Sequence, residues 1–135
     1  MAGINPQFKQ IGAEFVKQYY LTFDGGVATR PKLTSFYHRD AMLSFEGDEK
    51  QGISGIMDKI QKLPFINVQH AVTTLDCQPT LDGGVLIMVT GQIKVDEEKP
   101  MGFSHNFCLK AEGTSFSIIH EVFRLSLHNF ADASS

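Results

Sequence analysis

A β-hairpin is predicted over residues 101–127, MGFSHNFCLKAEGTSFSIIHEVFRLSL. Its two halves, 101–111 and 115–127, are rich in Phe, Ile and Val, and Glu112-Gly113 lies between them. A connection this short predicts two long antiparallel strands. Because successive side chains of a strand point to opposite faces, the hairpin also predicts which residues share a face of the sheet.

Apolar residues occur on both faces of this hairpin. In the first strand one face carries Met101, Phe103, His105, Phe107 and Leu109. In the last strand one face carries Ile118, His120 and Val122, and the other carries Ser117, Ile119, Glu121, Phe123 and Leu125. A sheet that is apolar on both sides needs a cover on each side.

Three more strands are predicted before the hairpin. Two of them, at residues 66–78 and 85–95, are separated from each other and from the hairpin by short Gly-, Asp- or Pro-containing turns, which indicates an antiparallel meander. A short strand is predicted from Ala41 to Phe45. The second half of the chain is therefore almost entirely β.

Helices are predicted at three places in the first half. The longest follows Asn-Pro at residues 5–6 and ends at Asp-Gly-Gly, residues 24–26, with apolar and aromatic residues three and four positions apart between them. Residues 32–37 suit either a short helix or an irregular loop. A third helix follows Gly52 and ends at Leu63, which precedes a proline.

This order of elements predicts an α+β fold whose helices cover only one face of the sheet. The simplest cover for the other face is the same sheet of a second copy, which predicts a homodimer. The alternative is an ordinary surface with scattered apolar residues.

The composition favours a single domain over residues 1–135, since the chain has 135 residues and is 42% hydrophobic. Residues 131–135 are expected to form a frayed tail. A net charge of -3 argues against nucleic acid or an anionic membrane as partner. The absence of a signal peptide or an apolar run of membrane-spanning length predicts the cytosol or nucleus. Cys77 and Cys108 are expected to be reduced packing residues, and no metal or cofactor motif is present.

The sequence contains one candidate for enzymatic chemistry, His70. It lies between Val68 and Val72 on one predicted strand face, so its ring is expected to be partly buried. With Asp76 or another carboxylate nearby, a buried histidine can serve as a general base. No second catalytic group follows from the sequence.

A second candidate site combines aromatic and acidic residues at the ends of elements. Phe45 precedes Glu46, while Leu63 and Phe65 flank a proline and residues 96–98 are all acidic. If these segments converge, they form an apolar hole with an acidic rim, which suits a partner that offers an aromatic side chain flanked by Lys or Arg. The alternative is that the acidic stretches are solvated turns.

Several of these segments belong to a dense set of motifs: Gln10-Ile11-Gly12, Leu43-Ser44-Phe45-Glu46-Gly47, Lys62-Leu63-Pro64-Phe65, Gln69-His70, Met101-Gly102-Phe103, and FRLSLHNF at 123–130. On these residues the chain resembles the nuclear transport factor 2 family over nearly its whole length. The resemblance implies a cone-like α+β fold. In that fold a strongly bent, mainly antiparallel sheet wraps around a long N-terminal helix, with two further helices and a cavity open at one end.

The resemblance also implies a function, since this family binds the small GTPase Ran in its GDP form and carries it through the nuclear pore. By position, the implied Ran-binding residues are Phe45, Glu46, Leu63, Phe65, Asp96, Glu98 and Met101, and the implied site for Phe-Gly repeats of nucleoporins is Phe8. Such a carrier is a homodimer without cofactors, is not an enzyme, and occurs in cytoplasm and nucleus, concentrated at the nuclear envelope. The alternative is an isomerase or dehydratase on the same fold, with His70 in its cavity.

The chain departs from the family pattern at three places. Phe8 and Phe45 stand where many members carry tryptophan, so each keeps an aromatic face but lacks an indole donor. Lys99 follows Glu98 and adds a positive charge beside the acidic rim. Residues 25–40 form a longer link to which the resemblance does not extend.

Overall fold

Three helical segments and six strands make up the part of the chain that the computed structural model describes, residues 3–126. In chain order they are α1 (Phe8–Asp24), a 3-10 helix (Arg30–Phe36), β1 (Tyr37–Phe45), β2 (Asp48–Gln51), α2 (Gly52–Gln61), β3 (Val68–Pro79), β4 (Val85–Val95), β5 (Met101–Glu112) and β6 (Ser115–Leu125). The predicted α+β class is confirmed. The predictions for Leu127, for the motif up to Phe130 and for the tail 131–135 lie outside the described residues.

The six strands form one sheet in the order β2-β1-β6-β5-β4-β3. From β3 to β6 each strand pairs antiparallel with the next, which is the predicted meander. The strand β1 pairs in parallel with β6, so the sheet is mixed, although antiparallel pairs predominate. This parallel pairing brings the chain segment after β1 close to the end of β6.

The long helix α1 covers the inner face of the sheet. Asn5 lies in the turn before the helix, where its Oδ1 accepts a hydrogen bond from the Gln7 amide at 2.9 Å. The N-cap residue is Gln7, whose side chain makes no capping bond, and the helix ends at Asp24, before the glycine pair. The buried stripe has the predicted spacing and consists of Gly12, Phe15, Val16, Tyr19, Tyr20 and Phe23. Each large side chain of this stripe contributes roughly 1.5–3 kcal/mol by burial, so the helix is held mainly by packing on the sheet.

The predicted faces of two residues in the hairpin, Ser117 and Ile118, are wrong. In the register of β5 and β6, Leu109 pairs with Ile118 but Cys108 pairs with His120, so Ile119 is an extra residue in a β-bulge. The bulge reverses the alternation below it. Ile118 was predicted to share a face with His120, yet it is fully buried on the inner face. Sequence alternation cannot locate such a bulge.

The acidic segment after Phe45 is a tight turn followed by a short strand. Glu46 and Gly47, with φ angles of 52° and 86°, form a two-residue turn, and β2 then pairs with β1. Positive φ at both central residues is the geometry that joins antiparallel strands tightly. The pattern did not predict β2 because the strand has only four residues, all of them polar. The 3-10 helix resolves the ambiguity at residues 32–37 in favour of a short helix.

The outer face of the sheet is partly apolar. Met88 of β4 lies opposite Asn106, which lies opposite Val122 of β6, so these side chains form one row across the sheet. Met88, Val122 and Leu86 are each between two fifths and one half exposed. The apolar second face is thus present, and its predicted cover, a second copy of the chain, remains a prediction.

The centre of β4 tolerates no side chain at Gly91. A Cβ atom there would overlap the carbonyl oxygen of Ala71, because β3 has a bulge between Val72 and Thr74 at this point. Backbone atoms of a paired strand cannot rotate away as a flexible side chain can. Gly91 therefore permits the close approach of β3 and β4.

We expect Gly91→Ala to lower the free energy of unfolding by about 2 kcal/mol or more, because overpacking against backbone shifts two strands. Gly55→Ala is the matched control, since it lies in α2 with its nearest neighbour, Lys50 Cβ, at 3.9 Å. That substitution should raise the free energy of unfolding by roughly 0.5–1 kcal/mol through helix propensity. Urea denaturation measures the free energy of unfolding of both variants. A change of the same sign in the two variants would contradict the steric explanation.

Candidate functional site

A narrow cavity lies between α1, α2 and the inner face of the sheet. Its lining is mostly apolar and comprises Tyr19, Phe23, Leu43, Phe45, Ile60, Leu63, Phe65, Val68, His70, Ile93, His105, Glu121 and Phe123. The interior of the cavity has a volume of about 20 Å³. With the side chains in these positions, the interior has room for about one water molecule.

Four of the residues singled out in the sequence meet in this cavity. Phe45 comes from the end of β1, Leu63 and Phe65 from the segment after α2, and His70 from β3. These elements are far apart in the chain, and in the sheet β1 and β3 lie on opposite sides of the central strands. The residues meet because side chains from all five strands, β1 and β3 to β6, line the same cavity. The apolar hole that the sequence suggested is therefore present.

Phe45 is held in place by an aromatic stack and by a nearby cation. Its ring stacks on Phe123 with centroids 4.9 Å apart, as the parallel pairing of β1 and β6 places them side by side. Lys59 of α2 lies over the Phe45 ring, with Nζ 5.4 Å from the centroid, and the same Nζ is 3.1 Å from Asp48. The Lys59 ammonium therefore lies at the mouth of the cavity, and Asp48 balances its charge.

Glu46 lies beside Phe45 at the turn into β2. Its Oε1 accepts a hydrogen bond of 2.6 Å from the Leu125 amide, and the Arg124 guanidinium lies close to Gly47. The side chain therefore helps to tie the turn to the end of β6. Glu46 does not itself line the cavity, and it has a structural contact as well as a charge.

The other three residues of the implied site do not line the cavity. Asp96 lies next to its edge, where Oδ1 accepts hydrogen bonds from the amides of Ile66 and Asn67. Glu98 is exposed in the turn between β4 and β5. Met101 begins β5 opposite Ile93, a cavity residue, so it shares the cavity face but is about one third exposed.

His70 has a carboxylate partner, as predicted, and it is Asp24 instead of the named candidate Asp76. Its Nδ1 is 2.7 Å from Oδ1 of Asp24, and its backbone amide donates to Oδ2 of the same residue at 2.8 Å. The ring stacks on Tyr20 with centroids 4.1 Å apart. Asp76, the carboxylate named from the sequence, is exposed. The correct partner comes from the end of α1, and sequence distance gives no indication of it.

The floor of the cavity is a buried polar network centred on Glu121. Its carboxylate accepts hydrogen bonds from Tyr37 at 2.6 Å and Tyr19 at 3.0 Å, and lies 2.6 Å from Nε2 of His105. On its other side, Nδ1 of His105 lies 2.8 Å from the Tyr20 hydroxyl. Sequence reasoning did not assign this network. The sequence did contain one indication of it, since Glu121 lies on an apolar face of the last strand. A buried carboxylate requires hydrogen-bond donors, so its position implied that such donors lie nearby.

Burial sets the protonation of this network. It raises the pKa of the Tyr19 and Tyr37 hydroxyls well above 10, and the Glu121 carboxylate raises both further. Burial also lowers the pKa of His105 below 6.5, although Glu121 opposes that shift. A neutral His105 donates from Nε2 to Glu121 and accepts at Nδ1 from Tyr20. Both of its ring nitrogens are then satisfied. The network is thus arranged to stabilise the floor.

Phe8, the implied nucleoporin site, is remote from the cavity. It begins α1 and packs, partly buried, against the edge of the core. Phe23, which lines the cavity, lies fifteen residues later in the same helix, roughly 22 Å along its axis. The two implied sites are therefore spatially separate.

Cys77 and Cys108 are free thiols, both partly buried, and burial raises the pKa of each. Between residues 3 and 126 no three His, Cys, Asp or Glu side chains are grouped so that they could hold a metal ion. Over the same range, no helix has the length and hydropathy needed to cross a membrane.

Comparison with known proteins identifies close relatives. The family model described as Nuclear transport factor 2 (NTF2) domain matches residues 11–125. The chain is 46% identical to nuclear transport factor 2 of Emericella nidulans over 121 residues, covering 87% of the chain and 94% of the relative. It is 40% identical to nuclear transport factor 2 of Saccharomyces cerevisiae, covering 88% and 94%.

Solved structures divide into close and distant neighbours. Nuclear transport factor 2 from Cryptosporidium parvum superposes with a TM-score of 0.87 at 38% identity, covering 93% of the chain and all of that structure. A putative scytalone dehydratase from Novosphingobium aromaticivorans superposes with a TM-score of 0.73 at 8% identity, covering 88% and 85%. The second similarity shows the fold alone, and it shows that enzymes share this fold.

The lowered pKa of His105 predicts how stability depends on pH. Below pH 6.5 the unfolded chain binds a proton at this histidine that the folded chain does not, so the free energy of unfolding falls as the pH is lowered. The slope from one such group is at most about 1.4 kcal/mol per pH unit. Urea denaturation between pH 5.5 and 8 should show that His105→Gln has a smaller slope than the wild-type chain. His120→Gln, at an exposed position, is the control and should have the same slope as the wild-type chain. Equal slopes in all three proteins would refute the assignment.

Proposed function

The chain belongs to the nuclear transport factor 2 family, and we propose that it carries the GDP form of Ran into the nucleus through the nuclear pore. The observation that carries this proposal is the convergence of Phe45, Leu63 and Phe65 around the mouth of one cavity, with Glu46 beside it. Relatives of 46% and 40% identity that are named nuclear transport factor 2 support the same role.

The mouth is suited to an aromatic side chain from the partner. Three of its walls are apolar, and the Phe45–Phe123 stack offers a ring edge and face for contact. Burial of one inserted Phe would contribute roughly 1.5–3 kcal/mol. Because the interior has room for about one water molecule, the ring would occupy the mouth and would have to displace side chains to go deeper.

The acidic residues around the mouth favour a basic partner. Glu46 follows Phe45 in the chain, and Asp96 is bonded to the backbone of Ile66, next to Phe65. Glu98 is exposed in the turn after β4, whereas Lys59 is already paired with Asp48. Exposed ion pairs contribute about 0–1 kcal/mol each. Their larger effect is on orientation and on the association rate, since opposite charges steer the encounter. In the proposed complex Glu46, Asp96, Glu98 and Met101 therefore border the aromatic anchor.

The proposed selectivity for GDP requires no contact with the nucleotide. A carrier that binds one position of a switch segment more tightly than another discriminates the two nucleotide states by that difference in affinity. Nucleotide exchange in the nucleus would then release Ran. The protein would occur in cytoplasm and nucleus, concentrated at the nuclear envelope.

Movement through the pore would depend on Phe8 and on a homodimer. Phe8 presents a partly buried ring at the start of α1, away from the cavity, and would bind Phe-Gly repeats of nucleoporins. The dimer would form through the apolar row on the outer face of the sheet, which includes Met88 and Val122. Two weak repeat-binding sites in one particle supply avidity while each releases quickly.

The enzyme alternative, an isomerase or dehydratase that uses His70, receives less support. His70 is paired with Asp24, stacked on Tyr20 and 3% exposed in its side chain, and the cavity in front of it has room for about one water molecule. The relatives above 30% identity discussed here are named for transport, and the dehydratase similarity is at 8%. We therefore propose a carrier and not an enzyme.

The proposed function is tested by comparing Ran in two nucleotide states. The immobilised protein should retain Ran loaded with GDP and release Ran loaded with a non-hydrolysable GTP analogue, because only one switch position places the aromatic anchor at the mouth. Retention of neither form would refute the carrier function. Equal retention of both would refute the nucleotide selectivity.

We expect Glu46→Lys to abolish measurable binding of Ran-GDP in a calorimetric titration, because it reverses a charge at the rim. Glu46→Gln keeps an acceptor for the Leu125 amide and should show an intermediate loss, which separates the charge from the turn contact. Phe8→Ala is the control at the other site and should weaken binding of a Phe-Gly repeat peptide while sparing Ran-GDP. Unchanged affinity of Glu46→Lys would contradict the placement of the rim.

A further inference from the structure

The segment that supplies two walls of the cavity mouth has no regular secondary structure. It spans residues 63–67, between the end of α2 and the start of β3, and is called the mouth loop below. Leu63 and Phe65 point from it into the cavity lining, while Ile66 is about two thirds exposed. An irregular loop leaves its amides and carbonyls without ladder partners, so something else must hold it.

Arg30 holds the mouth loop from one side. It begins the 3-10 helix, and its Nη1 donates to the Phe65 carbonyl at 2.8 Å and its Nη2 to the Ile66 carbonyl at 3.1 Å. Its Nε donates to the Phe23 carbonyl at 3.3 Å, and the guanidinium carbon lies 5.1 Å from the centroid of the Phe23 ring. Arg30 is 3% exposed, so these three carbonyls form its surroundings in place of water.

Asp96 holds the same loop from the other side. Its Oδ1 accepts from the Ile66 amide at 3.1 Å and the Asn67 amide at 2.9 Å, and its own amide donates to the Asn67 carbonyl at 2.8 Å. Asp96 has a φ of 48°, a left-handed conformation that aspartate tolerates better than most residues. Together with Arg30, it binds every backbone amide and carbonyl of Ile66 and Asn67.

We propose that Arg30 is a positioning residue for the binding mouth, which acts by fixing Phe65 in the conformation that receives the aromatic side chain of the partner. The proposal rests on the proposed carrier function and adds a determinant of its affinity. Arg30 lies within the residues 11–125 that the family model matches, but it is not among the site residues predicted from the sequence.

The energetic basis is preorganisation. A loop that is free in the unbound protein must be ordered when a partner binds, and this ordering subtracts from the affinity. Arginine is suited to this role because its planar fork donates in fixed directions to several carbonyls at once, whereas a lysine ammonium acts as a point charge. Burial lowers the pKa of Arg30, while Asp24 and Asp96 oppose that shift.

The test is a double-mutant cycle on Ran-GDP binding with Arg30→Met, Phe65→Ala and the double variant. Arg30→Met should weaken binding about tenfold, since ordering a loop and its side chain costs about that much affinity. In the Phe65→Ala background the same substitution should have little further effect, because the residue that Arg30 positions is gone. Additive losses would show that Arg30 acts in some other way and would overturn the proposal.

Amide hydrogen exchange supplies a second measurement that does not depend on the partner. In Arg30→Met the amides of Ile66 and Asn67 should exchange faster, although they are bonded to Asp96, because the loop has lost one of its two supports. The Glu46 amide, which donates to the Phe123 carbonyl on the far side of the mouth, is the control and should be unchanged. Unchanged protection of Ile66 and Asn67 would overturn the proposal.

One further variant, Arg30→Lys, separates this proposal from effects on folding, and the wild-type protein separates it from the carrier function. Arg30→Lys retains the charge and can bond only part of the carbonyl set, so it should fall between wild type and Arg30→Met even where Arg30→Met is poorly folded. Wild-type protein that binds no Ran in either state would refute the carrier function, and the exchange measurement would then decide the role of Arg30 alone. Normal Ran-GDP binding by both Arg30 variants would refute only the positioning role.

Discussion

Tyr19 joins the apolar and polar parts of the core, and the rest of the structure depends on this contact. Its ring packs edge-on against Phe107 of β5 at 5.1 Å, so α1 lies against the inner face of the sheet. Its hydroxyl reaches Glu121 of β6, which is 3% exposed. A buried carboxylate needs several donors, and the helix supplies one of the three groups that bond Glu121, the other two coming from β1 and β5.

The same arrangement explains why the cavity is suited to binding and offers little for catalysis. Its floor is formed by Glu121 and His105, which satisfy each other and the surrounding tyrosines, and in the described residues no buried side-chain nitrogen or oxygen lacks a partner. The side chains at its mouth are held by two separate sets of contacts. Phe45 is stacked on Phe123, and Phe65 lies in a loop whose backbone is hydrogen-bonded by Arg30 on one side and by Asp96 on the other. A rigid, apolar entrance favours the capture of one anchor side chain.

Much of the site could be predicted from residue types and spacing, and the remainder could not for particular reasons. Phe45, Leu63 and Phe65 were found because apolar residues at element ends beside acidic ones are visible along the chain. Asp24 was missed as the partner of His70 because helix α1 crosses β3 at a place that no spacing indicates. The inner position of Ile118 was missed because one bulged residue in β6 reverses the alternation.

The sequence by itself determined the elements: an aromatic helix, a meander of long strands with apolar residues on both faces, and an acidic chain without catalytic motifs. These follow from local periodicity and composition, which depend only on neighbouring residues. Only the tertiary structure decided that β1 joins β6 in parallel, that Glu121 is buried among two tyrosines and a histidine, and that Arg30 reaches the carbonyls of residues 65 and 66. These contacts join residues between 16 and 102 positions apart, and their energies arise from desolvation and hydrogen-bond geometry, which exist only once the chain is packed.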